Sequence, residues 1–256
     1  MSKFKYWLVV ALLSVSSLAQ AQSPRFILCV DQTWYPFTYL MSYRAGGVFV
    51  DIVEEAGDRL GLKVRVRPVD WGRCMEHVRE GTVDAVLGIS YVADRTSFLQ
   101  YPMNGSEIDT RYSLSTLDDA VVTLQSQNYE YDGNPHSLPQ PVRIPNGYAL
   151  VDTMRALNIE VDDSSQGDQA NLIKLSTERN GSVIMLRQLA EVLADREYFD
   201  SQLHVSERAY TSVDFYLAFS VEAGLSPELR QAVWNAVRDI REDEELIRSY
   251  YEEHTP

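Results

Sequence analysis

Arg95 is the side chain in this sequence best suited to hold an anion. Its guanidinium is planar and presents a fork of donors that matches the two oxygens of a carboxylate. Gly88 and Ser90 come shortly before it, at the end of a strand-like segment, where a hydroxyl and a backbone without a Cβ let a ligand approach closely. These residues predict a carboxylate-binding corner. A surface salt bridge is the other interpretation of Arg95.

Aromatic side chains follow two further strand-like segments. Trp34 and Tyr35 belong to the loop Trp34-Tyr35-Pro36-Phe37, and Trp71 follows Asp70. Such rings could stack on a ligand or a cation, wall it in, or simply fill the core. Asp31, at the start of the aromatic loop, could cap the loop or contact the ligand.

The second half of the chain has two comparable strand ends. Asn146, Gly147 and Tyr148 follow the strand 142–144, and Arg187 follows the strand 183–186. If Arg187 faces Arg95 across a cleft, the ligand should carry carboxylates or other acceptors at both ends, because two like charges repel strongly in a closed cleft. The alternative is that Arg187 turns outward to Glu191 or Asp195 on its own helix.

The elements that must position these residues alternate between strands and helices. This rhythm predicts parallel βαβ units. It stops in an aperiodic, polar loop over 124–141, then restarts and ends with an apolar segment, 215–219, and a helix from Ser226. We therefore expect two α/β lobes, each with a mainly parallel sheet and flanking helices. In such sheets ligands bind at the carboxyl ends of the strands. Residues 22–112 and 210–256 are predicted to form lobe one, and residues 113–209 lobe two, with two hinge crossings.

The first residues have the pattern of a secretory signal. Two lysines precede a short apolar run, and the run ends in Ala19-Gln20-Ala21, which predicts cleavage after Ala21. The apolar run is shorter than the roughly 20 residues of a membrane span. We expect a periplasmic protein without membrane insertion. Loss of the two lysines takes the net charge from −14 to −16, which disfavours nucleic acid as a partner.

The cysteines and histidines limit the chemistry further. Cys29 and Cys74 are the two cysteines, and they follow or end neighbouring strands, so we expect them to lie close together. A disulfide and a pair of buried thiols both stay open. The four histidines lack the spacing of metal ligands. No metal and no cofactor are expected.

Taken in order, these segments resemble the extracellular solute-binding proteins of family 3. The resemblance covers most of the chain after the signal, and no single motif is decisive. It rests on the aromatic-Pro-Phe loop at Trp34, on Gly47-Val48-Phe49-Val50-Asp51, on Gly81-Thr82-Val83-Asp84-Ala85, and on Ser90 to Arg95 followed by Tyr101-Pro102. It implies the two-lobed periplasmic binding protein fold, type II-like, and a monomer that hands its ligand to an ABC permease for amino-acid transport.

The second lobe departs from the family pattern. Amino-acid binders of this kind carry an Asp near the end of the last lobe-two strand, which pairs with the ligand's ammonium group. Here Arg187 stands at or beside that position, and no carboxylate is present. The segment Asn146-Gly147-Tyr148 also replaces the usual Gly-Thr-Thr. The resemblance therefore implies the fold more firmly than an amino-acid ligand.

Two other functions fit the same scaffold. A periplasmic dehydratase acting on prephenate-like acids needs a general acid or base in the cleft. Four carboxylates are available for it, but in no recognised pattern: Glu107, Asp109, Glu178 and Asp214. A sensory module would report its ligand to a separate membrane protein. We expect a binding protein without chemistry of its own. Turnover of prephenate or arogenate would identify the enzyme.

Overall fold

The computed structural model describes residues 24–196, Phe199 and residues 202–255. The predicted signal peptide, 1–21, lies outside the described residues. The strands are β1 Arg25–Asp31, β2 Thr33–Trp34, β3 Thr38–Met41, β4 Arg44–Gly46, β5 Lys63–Val69, β6 Ala85–Ser90, β7 Leu99–Gln100, β8 Met103–Asn104, β9 Glu107–Ile108, β10 Ser115–Leu124, β11 Val142–Arg143, β12 Val161–Asp162, β13 Ser182–Leu186 and β14 Leu203–Ser220. The α-helices are α1 Val48–Leu60, α2 Trp71–Arg79, α3 Ala149–Ala156, α4 Asp168–Glu178, α5 Arg187–Ala194, α6 Pro227–Arg241 and α7 Glu244–His254. Short 3-10 helices span Ala93–Ser97, Thr110–Tyr112, Gln125–Gln127 and Pro135–Ser137.

The main sheet has the order β12-β11-β13-β10-β14-β6-β1-β5, and β7 adds to β14. Its two ends are parallel: β5 and β6 flank β1 in lobe one, and β12 and β13 flank β11 in lobe two. The two-lobed α/β fold is confirmed. One expectation is wrong in detail, because the lobes do not have separate sheets. The antiparallel strands β10 and β14 pair with each other and join both ends in one ladder.

The chain crosses between the lobes along β10 and β14. Strand β14 has 18 residues and pairs with β10 in its first part and with β6 in its second. The pairing of β10 with β14 shifts register on either side of Ala120. The predicted lobe boundaries fall just before β10 and inside β14. The two strands therefore form the wall that both lobes share.

Helices cover both faces of the lobe-one sheet. Helix α1 packs against α6 and α7 on one face, and its apolar stripe of Phe49, Ile52, Val53 and Ala56 is buried. Gly61 ends the helix in the left-handed conformation, where its N–H bonds back to Asp58 and Gly57 carbonyls. Helix α2 covers the other face and begins at Trp71.

A disulfide links strand β1 to helix α2. Cys29 and Cys74 are bonded, their Cα atoms are 5.5 Å apart, and both are fully buried. Cys74 lies in the first turn of α2, one turn after Trp71. The bridge therefore fixes the end of the helix that carries Trp71.

The last helix is held to lobe one by a buried histidine. His254 Nε2 lies 2.6 Å from Asp51 Oδ2 on α1, and its Nδ1 lies 2.8 Å from the Tyr39 hydroxyl on β3. The Tyr35 hydroxyl donates to the carbonyl of His254. In the part of the chain that the structure describes, no helix is long and apolar enough to cross a membrane.

Candidate ligand-binding site

A cavity of about 450 Å³ lies between the two lobes. It opens at the carboxyl ends of β1 and β6 on one side and of β13 on the other, and β10 and β14 form its back. Six of the residues selected from the sequence line it: Trp34, Trp71, Gly88, Ser90, Arg95 and Tyr148. Four others do not line it: Tyr35, Asn146, Gly147 and Arg187.

Arg95 lies in the 3-10 helix that follows β6, and it is the cation of the cavity wall. Among the described residues it forms no ion pair with a carboxylate, so a salt bridge does not account for its position. Burial raises the pKa of the neighbouring Tyr101 to about 12, and the charge of Arg95 partly offsets this rise. The guanidinium also hydrogen-bonds the Tyr101 hydroxyl, and without a carboxylate partner among the described residues it can still pair with an anionic group inside the cavity.

Three carboxyl groups line the same cavity as the Arg95 guanidinium: Asp31, Asp119 and Asp168. Asp31 is only 2 % exposed, and its side chain accepts hydrogen bonds from the Thr33 N–H at 2.8 Å and from the Tyr148 hydroxyl at 3.0 Å. It therefore both caps the aromatic loop and faces the cavity. Burial raises its pKa even against these donors.

The other two carboxylates have fewer hydrogen-bond donors around them. Asp168 is 3 % exposed, and its Oδ1 has no hydrogen-bond partner among the described residues. Burial, with further contributions from Asp31 and Asp119, raises its pKa well above the ordinary range. Burial and the neighbouring Asp118 raise the pKa of Asp119 to about 7. Buried anions without partners are costly, so this wall favours a positive group.

The floor of the cavity is aromatic. Trp34 packs against Phe215 at 4.7 Å between ring centroids and is almost fully buried. Gly88 has a φ of +81°, and a Cβ at this position would lie 2.7 Å from the Trp34 ring. Gly88 is therefore required both by its backbone conformation and by the ring that covers it.

Contacts between the lobes close over the cavity. The Trp71 indole N–H donates to the Gly147 carbonyl at 3.1 Å, and the Trp71 and Tyr148 rings meet edge to face at 6.1 Å. The Tyr148 hydroxyl in lobe two donates to the Asp31 carboxylate in lobe one. Gly147 thus acts through its backbone, outside the cavity lining. Asn146 is exposed and donates to the Asp163 carbonyl at 3.3 Å.

Tyr35 and Arg187 serve other contacts. Tyr35 is directed to the C-terminal helix, where its hydroxyl meets His254. Arg187 opens α5, which packs on β14, and its guanidinium donates at 3.1 Å to the carbonyls of Ser206 and Glu207. The Glu191 carboxylate lies 3.8 Å away. Arg187 therefore follows the outward alternative, and the argument for acceptors at both ends of the ligand, which required it to face Arg95, does not apply.

The carboxylates considered from the sequence for an enzyme do not line the cavity: Glu107, Asp109, Glu178 and Asp214. Asp109 instead pairs with Arg111, and Glu178 pairs with the buried Arg143. Asp119 and Asp168 were missed. The signal for Asp168 was a carboxylate directly after Gly167 at a helix start, and for Asp119 an acid beside the apolar residues 120–122.

The family model of bacterial extracellular solute-binding proteins, family 3, matches residues 26–253. No curated protein sequence matches the chain significantly. Among the described residues, no group of three or more His, Cys, Asp or Glu could hold a metal ion.

Solved structures share the fold at low sequence identity. An amino-acid ABC transporter substrate-binding protein, AbpA from Streptococcus pneumoniae, bound to L-arginine, is 14 % identical with a TM-score of 0.72, over 90 % of this chain and 94 % of that one. The ancestral amino-acid-binding protein AncCDT-1, a precursor of cyclohexadienyl dehydratase, is 15 % identical with a TM-score of 0.70, over 91 % and 96 %. The VFT2 domain of Bordetella pertussis BvgS is 17 % identical with a TM-score of 0.66, over 89 % and 93 %.

Proposed function

Because the chain belongs to the bacterial extracellular solute-binding proteins of family 3, we propose that it captures a small solute carrying both a carboxylate and a cationic nitrogen. The carboxylate binds Arg95 from lobe one. The cationic nitrogen binds the wall formed by Asp31, Asp119 and Asp168. The closed protein then presents the solute to an ABC permease.

The unpartnered carboxylate of Asp168 carries this proposal. It is buried, it lines the cavity, and its Oδ1 has no donor among the described residues. Native structures rarely leave such an atom unsatisfied, and of the eight buried side-chain atoms without a partner among the described residues, Asp168 Oδ1 is the one whose residue lines the cavity. Three carboxylates against one guanidinium also leave the cavity with an excess of negative charge, which a ligand nitrogen would offset. A ligand with carboxylates at both ends would increase that excess.

The size of the cavity agrees with a ligand of amino-acid dimensions. Its volume of about 450 Å³ lies in the lower part of the range for small-molecule sites, roughly 300 to 1,000 Å³. The structural relative AbpA was solved with L-arginine, which carries a carboxylate and two cationic groups. L-arginine is therefore the first probe.

A thermal-shift screen followed by calorimetry tests the proposal. The probes are L-arginine, L-lysine, L-glutamine, L-glutamate, succinate and putrescine. We expect L-arginine or L-lysine to raise the melting temperature most, because a ligand that binds the folded state alone stabilises it. Putrescine should bind less well because it leaves Arg95 unpaired. Preferential binding of succinate, which has no cationic nitrogen, would contradict the proposal.

A dehydratase on the same scaffold is the second candidate. Asp119 is a cavity carboxyl that can hold a proton near neutral pH, as a general acid must, and AncCDT-1 is described as the precursor of such an enzyme. Incubation with prephenate or arogenate, followed by assay of the aromatic product, decides between them. Turnover that disappears in Asp119→Asn would replace the binding proposal with this one.

A further inference from the structure

Asp119 and Asp168 bring two carboxyl groups from different elements to one cavity. Asp119 lies on the crossing strand β10, and Asp168 lies in the first turn of helix α4 in lobe two. Neither position is the strand end at which amino-acid binders of this kind carry their acid. The described residues provide no cation to either carboxylate, so the pair is an acidic group built into the cavity without a counter-charge.

Two such carboxyl groups cannot both ionise at low cost. Each charge raises the free energy of the other, and burial removes the water that would otherwise stabilise both. Burial raises the pKa of Asp168, and the charges of Asp31 and Asp119 add to this rise. Interacting groups of this kind share their protons, so the titration belongs to the pair.

The groups around the pair do not offset its negative charge. Asp31 and Tyr148 face it from β1 and from the start of α3, Asp118 and Tyr210 from the two crossing strands. Asp31 and Asp118 add negative charge, and the two tyrosines are neutral, since burial raises their pKa further. Arg95 lines the same cavity but belongs to lobe one. The pair therefore needs either a proton or a ligand cation.

We infer that Asp119 and Asp168 form a proton–cation exchange site, which holds a proton while the cavity is empty and releases it to solvent when a ligand nitrogen enters. The carboxyl O–H bond breaks, its proton passes to the buffer, and the carboxylate accepts an N–H hydrogen bond from the ligand. The charge of the cavity changes little during this exchange. The inference rests on the proposed function, since it requires a cationic ligand.

The exchange makes ligand affinity depend on pH. A cation stabilises the ionised pair, so the bound state holds fewer protons than the empty one. Over the pH range in which one proton is released, affinity falls by about tenfold for each unit that the pH decreases. Above about pH 7, where Asp119 has already lost its proton in the empty protein, this carboxyl no longer adds to the pH dependence of affinity.

Calorimetry with L-arginine at about pH 6.5 measures the proton directly. The binding enthalpy is determined in two buffers with different enthalpies of ionisation, and its difference gives the number of protons released. We expect release of most of one proton for the wild type and much less for Asp119→Asn. Asp152→Asn is the matched control, because Asp152 is an exposed acid in the first turn of α3, and it should behave as the wild type.

A titration of the ligand-free protein keeps this inference separate from the proposed function. The wild type should take up about one proton more than Asp119→Asn between about pH 8 and pH 5. If that uptake is present but none of the probes binds, the exchange site stands and the proposed function fails. If L-arginine binds with the same enthalpy in both buffers, the proposed function stands and the exchange is wrong. Absence of the uptake overturns the exchange in either case.

Discussion

At the scale of single residues, the cavity combines one guanidinium with carboxylates from several elements. Arg95 comes from lobe one, and the unpaired Asp168 comes from lobe two. A ligand with opposite charges at its two ends would connect the lobes through both.

Arg95→Lys should weaken binding of L-arginine by roughly tenfold to a hundredfold. A lysine keeps the charge but loses the two parallel hydrogen bonds of the guanidinium, and a bond to a charged group contributes about 1.5–3 kcal/mol. Calorimetry measures the change. The control is Arg187→Lys, whose guanidinium is engaged outside the cavity and which should leave the affinity within about twofold. Equal losses in both variants would count against a direct contact with Arg95.

Gly88→Ala should destabilise the protein more than Gly61→Ala. Both glycines have positive φ, +81° and +66°, but a Cβ at Gly88 meets Trp34 at 2.7 Å while a Cβ at Gly61 meets nothing within 4 Å. Gly61→Ala should cost about 1 kcal/mol for its conformation. Gly88→Ala should cost about 1–3 kcal/mol more through overpacking. Denaturant unfolding gives both values, and similar losses would show that Trp34 moves aside freely.

Residue identity alone predicted the lobe-one half of the site better than the lobe-two half. The cavity residues of lobe one lie at or just after the ends of strands that the sequence pattern predicts. Ligands bind at such ends, so these residues could be selected together: Trp34, Trp71, Gly88, Ser90 and Arg95. Asp119 and Asp168 could not be selected in this way. Whether an acid is buried without a partner depends on which distant elements surround it, and no local pattern contains that information.

At the scale of elements, the strands and helices of the βαβ units could be predicted, but the crossing strands could not. Strand β14 was predicted only over its apolar end, 215–219. Its first half is polar and partly exposed, because it lies at the boundary between the lobes. A polar strand gives no hydrophobic period. This segment joins the two ends of the sheet, because it pairs with β10. Without it, the sequence pattern predicts two sheets, whereas the structure has one.

Removal of the disulfide should loosen the start of α2. The double variant Cys29→Ser/Cys74→Ser should lose about 2–4 kcal/mol of unfolding free energy, because the bridge closes a loop between residues 45 apart in sequence. Denaturant unfolding measures the loss. A reductant should lower the midpoint of the wild type and leave that of the double variant unchanged. A wild-type midpoint that stays constant while free thiols appear would contradict this role.

At the scale of the whole molecule, the stability of the ligand-free protein should depend on pH through Asp119. Its pKa is about 7 in the folded state and about 3.9 in an unfolded chain. A group with a raised folded pKa stabilises the folded state at low pH, and this contribution is lost as the pH rises through the folded value. From about pH 5 to pH 7, stability should fall by at most about 1.4 kcal/mol per unit.

Thermal unfolding of the wild type and of Asp119→Asn over this range measures the effect. The variant should lack the fall and be the more stable protein at about pH 8, because it buries an amide in place of a charge. Asp109→Asn is the control. The neighbouring Arg111 lowers the pKa of Asp109, so its contribution is lost only at more acid pH. Parallel curves for the wild type and Asp119→Asn would show that Asp119 is already ionised.

The hydrogen bonds from Trp71 to Gly147 and from Tyr148 to Asp31 join the lobes through protein atoms alone. The lobes can therefore meet before a ligand arrives, and we expect a solute to enter faster when these two bonds are broken. The separation of the lobes then determines when a solute can enter. At low solute concentration the rate of capture follows the number of encounters, and at high concentration it reaches a ceiling set by how often the lobes part. We expect the same two bonds to delay escape, so that they influence both how fast the solute is bound and how long it stays bound.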